Sequence, residues 1–178
     1  MHADSTDALR RNDGHPNMID INEIRSDEFD RIWPLFQAVI ATGDTYAYDP
    51  TTTFNEAQAM WTIPPARVFI ATQGADVVGC YVLRPNQPGL GDHVANAGYM
   101  VAPHARGKGV AGALCEHSMD TARQAGFLAM QFNYVVASNE VAVKLWQKHG
   151  FAIVGRVPQA FRHARLGLTD VLVMHRFL

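Results

Sequence analysis

The chain has 178 residues, long enough for one domain with a sizeable apolar core and short for two. Its formal net charge of −2 excludes the strongly basic surface of a nucleic-acid binder, and no apolar run approaches the ~20 residues that a membrane helix requires. The two cysteines, Cys80 and Cys115, sit in apolar segments and read as small core residues, and the eight histidines lack metal-ligand spacing, so no metal is expected.

Residues 1–17 are polar and aperiodic, without an apolar leader segment. They read as a flexible lead to a domain spanning 18–178, and a reducing cytoplasm is the expected location. Ile19–Ile24 alternates apolar and polar residues, which predicts a strand. Ser26 offers an N-cap to a helix carrying Phe29, Ile32, Trp33, Phe36, Val39 and Ile40, in which Pro34 is either tolerated early or restarts the helix. Gly43–Pro50 breaks that helix, and Asn55–Trp61 predicts a short one stopped by Pro64 and Pro65. Val68–Thr72 and Val77–Leu83 form a hairpin pattern about Gln73–Asp76, and Arg84–Asp92 reads as a loop. His93–Val101 is the next strand. Gly98 inside it predicts a bulge, or a place where something approaches the backbone.

The stretch Val101–Gly112 runs from that strand through a basic, glycine-bearing turn into a helix predicted over Gly109–Ala125. A helix start leaves backbone N–H groups unpaired and carries partial positive charge, so it suits a phosphate. A P-loop is excluded because Gly109 follows Lys108. Gly107-Lys108-Gly109, with Gly112 beyond, comes close to the dinucleotide fingerprint and keeps a nucleotide-binding oxidoreductase open, but a parallel βαβ start and a suitably placed acidic residue are missing. Leu128–Val136 predicts an apolar central strand. Ser138 offers a cap to a helix that ends at Gly150, and Phe151–Val157 and Val171–Phe177 predict two closing strands. Strands and helices alternate without a repeat, as in a single α+β or mixed α/β domain.

Two motifs carry more. Arg106–Ala111 reads Arg-x-x-Gly-x-Ala after a strand ending Val-x-Pro. At the expected distance follows Asn139-Glu-Val-Ala142-Val-Lys-Leu145-Trp146-Gln-Lys-His-Gly150-Phe151. Together they resemble the GNAT superfamily of acyl-CoA-dependent N-acetyltransferases, and the flanking strands extend the likeness over nearly all of 19–178. The resemblance implies an α+β fold with a mostly antiparallel, twisted central sheet, two splayed strands and flanking helices. It implies acetyl-CoA as cofactor, a small-molecule amine as acceptor and direct attack in a ternary complex. By the same resemblance the edge Tyr99, Met100 and Val101 would contact pantetheine and supply an oxyanion donor. Amides of Arg106, Gly107, Lys108, Gly109, Val110 and Ala111 would take the pyrophosphate, Asn139 would bond the pantetheine arm, and Trp146 would wall the thioester.

The chain departs from the family pattern twice. Trp146 replaces a tyrosine that many members use to protonate the leaving thiolate, and indole N–H does not ionise usefully. Asn96 occupies a position where relatives often place a glutamate base, and an amide takes no proton at neutral pH. These losses leave a non-catalytic acyl-CoA-binding module as the alternative. Asn96, Asn133 and Asn139 are the candidates at the chemistry. The set is similar to the subgroup acetylating L-azetidine-2-carboxylate and proline analogues, a likeness strengthened by Gly43–Tyr48 and by Phe132-Asn133, and uncharged amides suit a small zwitterion. Asp44, Tyr46 and Tyr48, in the loop after the first helix, are candidates for the acceptor side. So are Arg162, as a bidentate partner for a carboxylate, and His163, as a base, both expected in the connection between the last two strands. Val171–Leu178, taken as an exposed edge, is compatible with a homodimer.

Overall fold

The computed structural model describes residues 18–178, so the expected flexible segment 1–17 lies outside the described residues. The elements run β1 (Asp20–Ile24), α1 (Trp33–Ile40), α2 (Phe54–Thr62), β2 (Arg67–Gln73), β3 (Asp76–Pro85), β4 (Val94–Val101), α3 (Val110–Gln124), β5 (Ala129–Val136), α4 (Glu140–Lys148), β6 (Ala152–His163) and β7 (Gly167–Phe177). Seven strands form one sheet in the order β1-β2-β3-β4-β5-β7-β6, with β4–β5 parallel and every other pair antiparallel. This is the expected α+β architecture. The antiparallel run from β1 to β4 leaves no parallel βαβ unit ahead of the glycine turn, which removes the dinucleotide-fold alternative.

Helices cover both faces. Tyr81 of β3 and Tyr99 of β4 pack toward α3, where they reach His117 and Ser118, while Gly98 and Val82 face Tyr46 on the side of α1. The core between them is built from Phe29, Ile32, Phe36, Trp61, Ile70, Leu83, Met100, Leu114 and Met130. Both cysteines are free and buried within it.

Several local expectations change. Ser26 does not cap one long helix: Ser26–Arg31 is a 3₁₀ turn, and Pro34 in the first turn of α1 restarts the chain as an α-helix, where its missing N–H costs nothing. Thr53 starts α2 with a capping box, its backbone N–H bonding Glu56 at 2.8 Å. Asn139, not Ser138, caps α4, its side-chain oxygen accepting the Ala142 N–H at 3.3 Å. β6 and β7 are longer than expected, so Phe161, Arg162 and His163 belong to β6 and only residues 164–166 turn the hairpin. β7 lies inside the sheet between β5 and β6, so Val171–Phe177 is not an edge and gives no argument for a dimer.

The bulge also moves. β4 pairs with β3 in unbroken register from Ala95 to Val101, so Gly98 does not bulge. Instead, a Cβ on Gly98 would stand 3.1 Å from the Tyr46 hydroxyl, and the glycine admits that close approach. The register shift falls in β5, between Phe132 and Val135.

Candidate active site

The decisive feature is a parting of strands. β4 and β5 pair only at Val94–Ala129 and Ala95–Met130, and then diverge. Val94 accepts the Asn86 N–H and Ala102 donates to Val78, both on the β3 side. Backbone groups alternate along a strand, so the N–H and C=O of Ala97, Tyr99 and Val101 point into the opening. A cleft of about 1570 Å³ occupies it. Its lining includes β4, the glycine turn with the start of α3, the end of β5, α4, the loop after α1 and the β6–β7 turn.

At one end, Gly107 and Gly109 adopt φ of 74° and 83°, conformations that side chains resist, and a Cβ on either would meet nothing within 4 Å. Gly109 is the N-cap of α3, and among the described residues no side chain caps the helix start. Ala113 is the first residue to donate to the Gly109 carbonyl, so the N–H groups of Val110, Ala111 and Gly112 have no intrahelical partner. An anion placed there meets free donors, the positive end of a fifteen-residue helix and the side chain of Arg106. These residues fit a diphosphate. Lys108 does not line the cleft, whereas Lys144 and Lys148 do. The i, i+4 spacing of those two lysines on α4 is legible in the sequence, but no local pattern marks that face as turned to the cleft.

At the middle, Trp146 is 8 % exposed and packs on Tyr99 at 4.9 Å and on Phe132 at 5.2 Å between ring centres. It forms a wall. The Tyr99 phenol turns away from the opening to pair with the Ser118 hydroxyl at 2.7 Å, and burial pushes its ionisation well above the usual tyrosine range. Met100 also lines the cleft, although the residue is almost wholly buried in the core.

At the other end, the bulge in β5 leaves Asn133 and Tyr134 both exposed, and both line the cleft. The three asparagines are not one cluster. The Asn96 amide donates to the Gln131 carbonyl at 2.9 Å, across the point where the strands part. The Gln131 side chain donates to Asn133 Oδ1 at 2.8 Å, and Asn133 donates to Asn86 Oδ1 at 2.6 Å. Gln131, Asn133 and Asn86 thus form one chain of side-chain amides, which Asn96 meets only through the Gln131 main-chain carbonyl; the sequence singles out neither Asn86 nor Gln131, and neither lines the cleft. Asn139 stands apart as the cap of α4, although it too lines the cleft.

Aromatic rings wall this end. Tyr46 stacks on Tyr48 at 5.4 Å, and Tyr48 stacks on Phe36 at 5.4 Å. Burial, with smaller contributions from Tyr48 and Cys80, raises the Tyr46 phenol well above its ordinary value, so it serves as a neutral donor. Asp44 lines the cleft and accepts the Thr42 hydroxyl. Strand alternation decides between the two β6 candidates. His163 is buried and lines the cleft, whereas Arg162 is exposed, points to the other face and does not line it. Arg165, in the turn, lines the cleft in its place.

Comparison with known proteins agrees with this geometry. The profile of the acetyltransferase (GNAT) family matches residues 21–151. The chain is 31% identical over 140 residues to the N-acetyltransferase aca1 of Schizosaccharomyces pombe, an overlap of 69% of this chain and 66% of that protein. The chain thus spans about two thirds of that relative's length. The structure of a GCN5-related N-acetyltransferase from Kribbella flavida superposes with a TM-score of 0.85 at 42% identity, covering 92% of this chain and 100% of that one. The fold of yncA from Salmonella typhimurium, solved with its cofactor acetyl-CoA, superposes with a TM-score of 0.77 at 18% identity over 90% of this chain and 94% of that one. A parted β4–β5 pair, an uncapped helix start and a profile match over most of the chain lead to one conclusion: this protein belongs to the GNAT family of acetyltransferases.

Proposed function

We propose that the protein transfers an acetyl group from acetyl-CoA to the amine of a small molecule by direct attack in a ternary complex, and that the acceptor is an amino acid or a cyclic amino-acid analogue. The observation that carries this reading is the opening between β4 and β5, with free phosphate donors at one end and an amide-and-aromatic pocket at the other.

The residues at each end divide the work. Amides of Val110, Ala111 and Gly112, with Arg106, hold the diphosphate. When bound, acetyl-CoA supplies an activated acyl group and a thiol leaving group. The N–H groups of Tyr99 and Val101 face the gap and are preset to donate to the acyl oxygen as charge grows on it. Trp146 excludes water from one side without ionising. The amine loses its proton to water or arrives deprotonated, because Asn96 has no basic atom and its amide is spent on Gln131. Asn133, oriented by its bonds to Gln131 and Asn86, offers its amide at the cleft to a small zwitterion. The likeness of Asn96, Asn133 and Asn139 in the sequence to the subgroup that acetylates azetidine-2-carboxylate and proline analogues supports that acceptor class.

The test is a screen of amino acids, cyclic analogues and simple amines for thiol release from acetyl-CoA, repeated with Asn133→Ala. An acceptor whose turnover falls in that variant, with CoA binding kept, supports the reading. CoA binding without thiol release from any amine replaces it with a non-catalytic acyl-CoA-binding module.

A further inference from the structure

His163 ends β6 as a side chain only 7 % exposed, yet it lines the acceptor end of the cleft. Its Nδ1 accepts two backbone N–H groups from the turn that follows, Arg165 at 3.1 Å and Leu166 at 3.3 Å. A ring nitrogen that accepts amide protons carries none of its own. The hydrogen-bond pattern therefore assigns the neutral ring one tautomer, with its proton on Nε2. Nε2 has no protein partner among the described residues, and no buried side-chain nitrogen there is left without one, so this N–H opens to the cleft. A neutral imidazole in that state donates at Nε2 and takes no proton there.

The turn that fixes the ring is itself anchored. The Ala164 N–H donates to the Gly43 carbonyl at 2.9 Å, and a Cβ on Gly43 would stand 3.0 Å from that of Ala164. The hairpin tip is thereby fastened to the loop carrying Asp44, Tyr46 and Tyr48. The charge at this end favours an anion. Arg84 and Arg165 line it, and neither forms an ion pair among the described residues. Asp44, whose negatively charged carboxylate accepts the Thr42 hydroxyl, also lines this end, so two guanidiniums face one carboxylate.

The geometry points to His163 as a fixed hydrogen-bond donor for the carboxylate of the acceptor, with Arg165 supplying the countercharge, and not as the base. This rests on the reading that the acceptor is an amino acid. It makes the protein selective for amines that carry an adjacent carboxylate over their amides or decarboxylated counterparts.

The experiment compares L-azetidine-2-carboxylate with its carboxamide as acceptors for the wild type, His163→Phe, His163→Gln and Arg165→Gln. A hydrogen bond to a charged group is worth a change of about 10- to 100-fold, so His163→Phe raises KM for the acid by about that factor, with kcat within ~3-fold. His163→Gln, which keeps an N–H donor, recovers most of the loss. Arg165→Gln, at an exposed position, raises KM for the acid alone. KM for the carboxamide, whose carbonyl accepts a hydrogen bond but carries no charge, rises by a clearly smaller factor than KM for the acid in the His163 variants and stays near wild type in Arg165→Gln. In parallel, the ¹⁵N shifts of the His163 ring in the wild-type protein report the tautomer without any acceptor present. A proton found on Nδ1 overturns the assignment, whether or not the phenylalanine variant folds. A collapse of kcat, or equal losses for acid and carboxamide, overturns the proposal and leaves the amino-acid reading standing. A wild type that prefers the carboxamide to the acid overturns both.

Discussion

The Tyr46 hydroxyl donates to the Tyr99 carbonyl at 2.8 Å, joining the loop after α1 to the gap edge of β4. Gly98 makes this approach feasible, since any side chain there would press against the same hydroxyl. Tyr46→Phe deletes the bond and costs about 1 kcal/mol, while Gly98→Ala drives the ring outward with the bond strained. Both are expected to raise KM for the acceptor several-fold and to leave CoA affinity unchanged, because the phosphate donors lie at the other end of the cleft. Steady-state kinetics paired with calorimetric titration of CoA would check this. Loss of CoA affinity in either variant would contradict it.

Two glycines with the same backbone strain separate stability from binding. Gly109 and Gly126 have φ of 83° and 87°, and a Cβ on either meets open space. An alanine at each costs ~1–2 kcal/mol through its left-handed conformation. Only Gly109 starts α3 at the cleft. Gly109→Ala is therefore expected to weaken CoA binding at least tenfold, whereas Gly126→Ala lowers the melting temperature alike and binds CoA normally.

The wall residue Trp146 separates packing from proton transfer. Trp146→Ala removes its contacts with Tyr99 and Phe132 and is expected to destabilise the protein by ~3–5 kcal/mol. Trp146→Phe keeps a ring there without an N–H. A general acid contributes about 100-fold or more, so a kcat within ~3-fold of wild type shows that the indole N–H is not the acid.

Asp170 of β7 ties the long hairpin where β6 slips register between Val157 and Phe161. Its carboxylate accepts the Gln159 N–H at 2.9 Å and the Arg156 guanidinium at 2.6 Å, and these two, in that order, hold its pKa below the ordinary carboxylate value. A carboxyl depressed in the folded state stabilises the fold above its unfolded pKa, and the contribution is lost as pH falls through the folded value. Asp170→Asn should melt below wild type at neutral pH, and the two curves should converge in acid. A constant gap in melting temperature across that range would show that the ionised form contributes nothing.

The sequence by itself determined the α+β class, the glycine turn that opens α3 and the family. Those features are local: glycines at positive φ, a helix start without a capping side chain, and apolar periodicities, each written within a dozen consecutive residues. Tyr46, Tyr48, Asn133 and His163, which the sequence singles out, all line the cleft. Only the tertiary structure decided how the acceptor end is built. The bulge at Asn133 and the bonds linking Asn96, Gln131, Asn133 and Asn86 depend on pairing between strands far apart in the chain, and the long β6 that turns His163 inward and Arg162 outward depends on the register of its hairpin with β7. A one-residue shift of register reverses which face a side chain occupies, and no local pattern records that shift.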